Sequence, residues 1–171
     1  IFTLWTESER NAINIYEVTI DDSKRKNEEW YVNTNITYSF DGTNATGSYG
    51  DATAKAHADT LFSAQDETDG LGTEGDVKTR GLKYNLIQTL KQQVAGELSK
   101  TDWYITRNTE KSTAIPSAIS THRDAVRTKQ AEMETAITNA SDTPALETLY
   151  TYTRQEDGSV TRPLGELPTL E

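Results

Sequence analysis

The feature that most restricts the fold is a stripe of aliphatic side chains four residues apart: Leu82, Leu86, Leu90, Val94 and Leu98, with Ile87 beside it. Only a helix brings such positions onto one side, so the stripe predicts a helix that begins at Asp76 or Thr79 and runs to Leu98. A second helix is predicted over Ser117 to Ala140, where Ile119, His122, Val126, Met133 and Ile137 recur at helical spacing. Pro116 suits its start, because a missing N–H costs nothing in the first turn. Two one-sided helices joined by a short link are expected to pack as an antiparallel pair. The link carries Thr101-Asp102-Trp103. Arg123 and Arg127 lie four apart, so both can reach one partner, and the nearest candidate is Asp102. A Trp laid over a guanidinium adds about 0.5–2 kcal/mol of cation–π attraction. Thr101, Asp102 and Trp103 are therefore expected to dock against the second helix, with Tyr104 and Ile105 adding one short extended stretch.

These residues resemble a motif of the tail-fibre and tail-assembly-associated family of tailed bacteriophages. There a helix ending in Leu is followed by Thr-Asp-Trp, a variable link often containing Pro, and then Tyr-Arg-x-x-hydrophobic-Arg. The corresponding places are Leu98, Thr101, Asp102, Trp103, Pro116, Arg123, Val126 and Arg127, with His122 in place of the Tyr. The motif spans about a quarter of the chain. The resemblance implies a non-enzymatic virion or assembly protein.

Upstream of the helices the periodicity changes to two. Residues 1–5 form a short apolar segment suited to a strand, and 11–20 alternate with one slip near Tyr16. Trp30 to Phe40 alternate Trp, Val, Thr, Ile, Tyr and Phe, the side chains that favour a pleated surface. Asp41-Gly42 is the expected two-residue hairpin turn, which would bring 43–49 back beside that strand. A small antiparallel sheet of three or four strands follows. Asp51 is then the expected N-cap of an Ala-rich helix reaching Glu67, with Ala54, Ala58, Leu61 and Phe62 on its buried side.

The loop Asp66–Asp76 holds five carboxylates and three glycines. Clustered acids on a glycine-turned loop raise a calcium reading, but aligning Gly70 with the loop glycine of an EF-hand puts Gln65 at the first ligand place and Asp76 at the last. A solvated loop is expected instead. With no Cys and two distant His, thiolate metal sites and disulfides are excluded and a zinc site is not expected. No apolar run approaches the roughly 20 residues of a membrane span, so a soluble protein is expected.

Past residue 140, Ser141-Asp142-Thr143-Pro144 stops one helix and restarts another over 145–152, where Leu146, Leu149 and Tyr150 make an apolar side. Asp157-Gly158 predicts a turn. Leu164, Leu167 and Leu170 then fall every third residue in a stretch with two prolines, the spacing of an extended arm that lays leucines onto a surface.

Composition limits the function. Leu, Ile, Val and Phe make up 31 of 171 residues and the net charge is −10, which leaves a lean core and points to support from neighbouring subunits. Charge is segregated: Val77–Lys129 carries +6 and the rest −16, a bulk sign that repels phosphate, so nucleic-acid binding is not expected. No nucleophile elbow, phosphate loop or dinucleotide fingerprint occurs. Adjacent acids such as Asp21-Asp22 and Glu28-Glu29 are expected by chance among 27 carboxylates, so no catalytic role is assigned to them.

The expected molecule is α+β. Residues 1–70 form the small antiparallel sheet with its helix, 77–152 a helical region, and 153–171 a turn and extended C-terminal arm. It is expected to be a non-enzymatic structural component of a tailed-phage virion, assembled in the bacterial cytoplasm, with tail or tail-fibre attachment as its place. Its structural motif would be Thr101, Asp102, Trp103, Arg123 and Arg127, and Leu164, Leu167 and Leu170 would bind partners. Those partners are other virion proteins and copies of itself, with no cofactor, metal, nucleic acid or membrane. The rival readings are a transient tail-assembly chaperone, a capsid decoration protein, and a host-recognition module whose Trp5 and Trp30 stack on glycans.

Overall fold

The computed structural model describes residues 4–170. The protein is mixed α+β and divides into two compact units, one ending at Lys55 and one beginning at Ala56. The strand expected over residues 1–5 lies mostly outside the described residues.

In the first unit, α1 (Glu7–Asn11) opens with a reciprocal cap. The Thr6 hydroxyl accepts from the Glu9 N–H at 3.3 Å while the Glu9 carboxylate accepts from the Thr6 N–H at 2.7 Å. The alternating segment after it is a strand only over β1 (Val18–Asp21). The expected strand from Trp30 to Phe40 is two strands, β2 (Tyr31–Val32) and β3 (Thr37–Phe40). It breaks after Val32 because the Asn33 side chain folds back onto the Lys26 backbone, accepting from its N–H at 2.9 Å and donating to its carbonyl at 2.8 Å. The chain does return beside β3 as β4 (Ala45–Ser48), but through a four-residue loop rather than a two-residue turn, since Phe40 pairs with Ala45. Asp41 builds that loop by accepting from the Thr43 and Asn44 N–H groups at 2.8 and 2.7 Å, with Gly42 at φ +98°.

The sheet order is β1-β4-β3, and β1 runs parallel to β4, so the sheet is mixed rather than wholly antiparallel. β2 pairs separately with β5 (Thr53–Ala54), where Trp30 and Tyr31 are buried.

The Ala-rich helix expected from Asp51 does not form. Only α2 (Ala64–Thr68) is helical, and it is capped by Ser63 with Asp66. Between them the chain is extended, because its backbone is engaged elsewhere. The Ala56 and His57 carbonyls accept from the Leu82 and Lys83 N–H groups at 3.0 Å each, and the Asp59 carboxylate takes the Gly81 N–H at 2.8 Å and Arg80 at 2.6 Å. These backbone N–H groups are the orphan donors around the next helix's first turn. A helix through 56–59 would withdraw those carbonyls, so tertiary capping overrides alanine propensity. It also places residues 56–70 in the second unit instead of with the sheet.

The same engagement delays the helix start. Val77–Thr79 is a strand, β7, paired with β6 (Thr60–Leu61), and α3 (Leu82–Ser99) begins after Gly81. α3 packs on α5 (Ser117–Asn139) as a hairpin-like pair, burying Leu90 and Val94 from one and Ile119, Val126, Met133 and Ile137 from the other. The link between them is not extended at Tyr104 and Ile105. It is the helix α4 (Asp102–Lys111), with Asp102 in its first turn and Ser112 in the left-handed conformation at its end. α6 (Thr143–Tyr150) follows, capped by Asp142, and buries Leu146 against α5. A small hairpin, β8 (Thr153–Arg154) and β9 (Val160–Thr161), precedes the terminal arm.

Gly81 marks the tightest point of this arrangement, since a Cβ there would lie 2.3 Å from the Ala58 carbonyl carbon and oxygen. Gly81→Ala is expected to destabilise the second unit by about 1–3 kcal/mol, as overpacking against backbone does. Thermal melting followed by helical circular dichroism should show the drop; an unchanged midpoint would mean that residues 56–59 do not lie against the start of α3 as described.

Candidate functional site

The joint of α3, α4 and α5 is built around one buried guanidinium. Arg123 faces inward from the second turn of α5, and its Nη1 donates to the Leu98 carbonyl at 2.8 Å and the Thr101 hydroxyl at 2.7 Å. The same nitrogen lies 2.9 Å from the Asp102 carboxylate. Thr101, almost wholly buried, donates its hydroxyl to Leu98 O at 3.0 Å. Arg123 therefore does two things. It satisfies a carbonyl at the negative end of α3, and it ties the first turn of α4 to α5.

The other members of the expected cluster lie elsewhere. Arg127 does not reach Asp102; it pairs with Asp124 at 3.3 Å on the open face of α5. Trp103 is not docked against α5 but is 51% exposed, 3.8 Å ring to ring from Tyr104. The cation over it is Arg107, at 5.0 Å, one helical turn along α4. Reading 101–105 as a non-helical connector hid that pairing, because Trp103 and Arg107 are neighbours only once α4 is helical.

One turn before the joint, Glu97 sits between Lys100 and His122. One oxygen pairs with Lys100, and the other lies 3.3 Å from His122 Nε2, with the Glu97 and His122 side chains nearly buried and no aligned hydrogen bond between them. The hydrogen bond from Lys100 holds the Glu97 carboxyl below its usual range, against the opposing effect of burial. His122, standing where the resembled motif has Tyr, thus faces a carboxylate. Neither Glu97 nor Lys100 belonged to the expected site; their i,i+3 spacing at the end of α3 was the available signal.

Glu97 and Lys100 also line a cleft with Gln93, Met133, Tyr152, Arg162, Glu166 and Leu167. Its charges are spent on each other: Arg162 pairs with Glu166 at 2.8 Å, and the Tyr152 hydroxyl donates to Glu166 at 2.6 Å, which raises the phenol above its usual range. Such a cleft suits packing of the arm more than binding of a charged ligand. Among the described residues, no three His, Asp or Glu side chains converge as metal ligands would, and the 66–76 loop uses Asp66 to hold Lys78 and Ser63.

The three leucines of the arm are not equivalent. Leu164 is buried in its own chain, its N–H donating to Leu149 O at 3.0 Å, and Leu167 lines the cleft. Only Leu170 is left exposed. The arm's first leucine is thus part of the core and is not available to a partner. No helix among the described residues is long and apolar enough to cross a membrane.

Two outcomes distinguish the joint from its surroundings. Arg123→Ala should cost about 2–4 kcal/mol, because it leaves the buried Thr101 hydroxyl and the Leu98 carbonyl without their charged donor. Arg127→Ala should stay within about 0.5 kcal/mol, as exposed pairs do; equal losses in denaturant titrations would refute the assignment. The second outcome concerns acid. A carboxyl whose folded pKa is depressed adds stability above its unfolded value of 4.5, and that stability is lost as pH falls through the lower folded value. Glu97→Gln should therefore narrow its stability gap to the parent chain as pH drops below 4.5, and a gap constant from neutral to acid pH would contradict it.

Comparison with protein-family models, with curated proteins and with solved structures gives no match.

Proposed function

We propose that this chain is a non-enzymatic structural component of a tailed-phage particle, placed at tail or tail-fibre attachment, that works by holding neighbouring subunits. The observation that carries the reading is the joint itself. Leu98, Thr101, Asp102 and Arg123 are four of the positions on which the resemblance to the tail-fibre and tail-assembly-associated family rests, and they meet around one guanidinium. Four positions of the motif that converge on one guanidinium support the reading, although Trp103 and Arg127 of the same motif lie outside the joint.

The surface fits the reading. Leu4, Ile13, Val18, Ile20, Tyr38 and Phe40 in the first unit, and Trp103 and Ile105 on α4, are large apolar side chains left exposed. Exposed apolar area in that quantity marks places where other proteins settle. Aromatic anchors such as Trp103, with Tyr104 and Arg107 beside it, are the residue types that dominate interface energies. The glycan-binding rival keeps less support, because Trp30 is buried and cannot stack on a sugar.

Mass spectrometry of purified particles tests the proposal against the chaperone reading. The chain should be present in mature particles at a fixed ratio to a tail protein. Absence from particles, with recovery alongside a tail protein from the lysate, would replace it with a chaperone role.

A further inference from the structure

The three-stranded sheet of the first unit has two chemically different faces. Register places Val18, Ile20, Tyr38, Phe40, Ala45 and Gly47 on one side and Thr19, Asp21, Thr37, Ser39, Thr46 and Ser48 on the other. Over Gly47, Ile20, Ile36 and Tyr38 close to within 2.8–3.0 Å of where a Cβ would stand. Even so, Tyr38 is 69% exposed, Phe40 51%, and Val18 and Ile20 41% each.

The sheet's two edges differ as well. β1 ends in Asp21 and is followed by Asp22, the kind of charge that discourages further pairing. β3, Thr-Tyr-Ser-Phe, carries no charge, no proline and no bulge. Which of its backbone groups face away from β4 can be read from the ladder. The Asp41 N–H donates to Asn44 O across the β3–β4 turn, so Thr37 and Ser39, four and two residues back, also turn their backbone groups to β4. Tyr38 and Phe40 turn theirs outward.

That pattern is self-complementary about Ser39. A second β3 laid antiparallel with Ser39 opposite Ser39 puts each Tyr38 opposite a Phe40. Every outward N–H and C=O of the strand then finds a partner, making four inter-chain hydrogen bonds. The same register keeps apolar side chains on one face and creates two Tyr–Phe cross-strand pairs. A slip of one residue would set the aromatics of one copy on the polar face of the other. From this match the geometry points to a second copy of this chain as the occupant of the β3 edge, joined across a two-fold axis at Ser39 into a six-stranded sheet. This deepens the proposed holding role, and rests on it only in treating the chain as a molecule that grips neighbours. The test uses the isolated full chain, so its failure leaves the particle assay to decide the role by itself.

The chain has no cysteine, so Ser39→Cys introduces a single thiol. In a non-hydrogen-bonded antiparallel pair the facing Cα atoms are about 4.5 Å apart, within disulfide range. Mild oxidation should convert Ser39→Cys to a covalent dimer well ahead of Thr19→Cys, on the same face but away from the axis. A contact this small sits at the weak end of interfaces, so the unmodified chain should show a dimer that grows with concentration in sedimentation. Register is tested by charge. Tyr38→Lys and Phe40→Glu should each dimerise at least about tenfold more weakly than the parent. An equimolar mixture of the two should recover, since the ammonium introduced in one chain then faces the carboxylate introduced in the other across the axis. Circular dichroism on each variant confirms folding. Ser39→Cys oxidising no faster than Thr19→Cys, or a parent chain that stays monomeric at every concentration, overturns the inference and leaves the edge to an extended segment of another protein. Dimerisation of both charge variants at parental strength overturns it in favour of a different self-contact.

Discussion

The end of α3 is closed by a side chain from another helix, and much of the second unit follows from that. A helix leaves its last carbonyls without intrahelical donors, and the common remedy is a left-handed glycine just beyond the end. Here no glycine follows Ser99. Instead the Leu98 carbonyl accepts from the Thr101 N–H, the Thr101 hydroxyl and Arg123 Nη1 at 3.1, 3.0 and 2.8 Å. The donor with a full charge comes from α5, so closing α3 also fixes where α5 lies beside it. In that arrangement Leu90 and Val94 of α3 and the whole stripe of α5 are buried. Asp102 ties α4 to the same guanidinium, and α4 has no fully buried residue of its own. Trp103 and Ile105 stand exposed on it without a cost in core packing.

How much of this was legible depended on how local the cause was. The α3 and α5 stripes were visible because burial of one helix face imposes a period that survives in the sequence, and every residue of the second stripe is buried. The pairing of Asp102 with Arg123 was reachable from charge and spacing. Its sibling Arg127 was not separable from Arg123 at that level, since four residues of helix bring both near one partner, and only the inward rotation of α5 decides which is buried. The failures share one character. Residues 51–63 favour a helix by composition, yet the Ala56 and His57 carbonyls cap α3 from more than twenty residues away. No local window contains that requirement. Likewise Leu164, Leu167 and Leu170 have equal spacing but unequal fates, set by the position of Leu149 rather than by anything in the arm.

The first unit shows the other consequence of a lean apolar composition. Its described buried apolar residues of any size are Trp30 and Tyr31, and its strands are two to four residues long. Strands that short form few ladder bonds, and a small sheet gains most of its stability by covering its apolar face. This sheet sorts its side chains cleanly onto two faces, which is the pattern of a sheet meant to be covered on one of them. The chain nevertheless leaves Val18, Ile20, Tyr38 and Phe40 substantially open.

An alternation maintained over three strands is costly to keep if the face is to meet only water, because exposed aromatics invite association and polar residues would pair as well in the ladder. The polar face shows that the chain has such residues at hand: Thr19, Thr37, Ser39, Thr46 and Ser48 all lie on it. Within the second unit Leu90 and Val94 of α3 and the whole stripe of α5 are buried, whereas in the first unit Val18, Ile20, Tyr38 and Phe40 on the apolar side of the sheet are exposed.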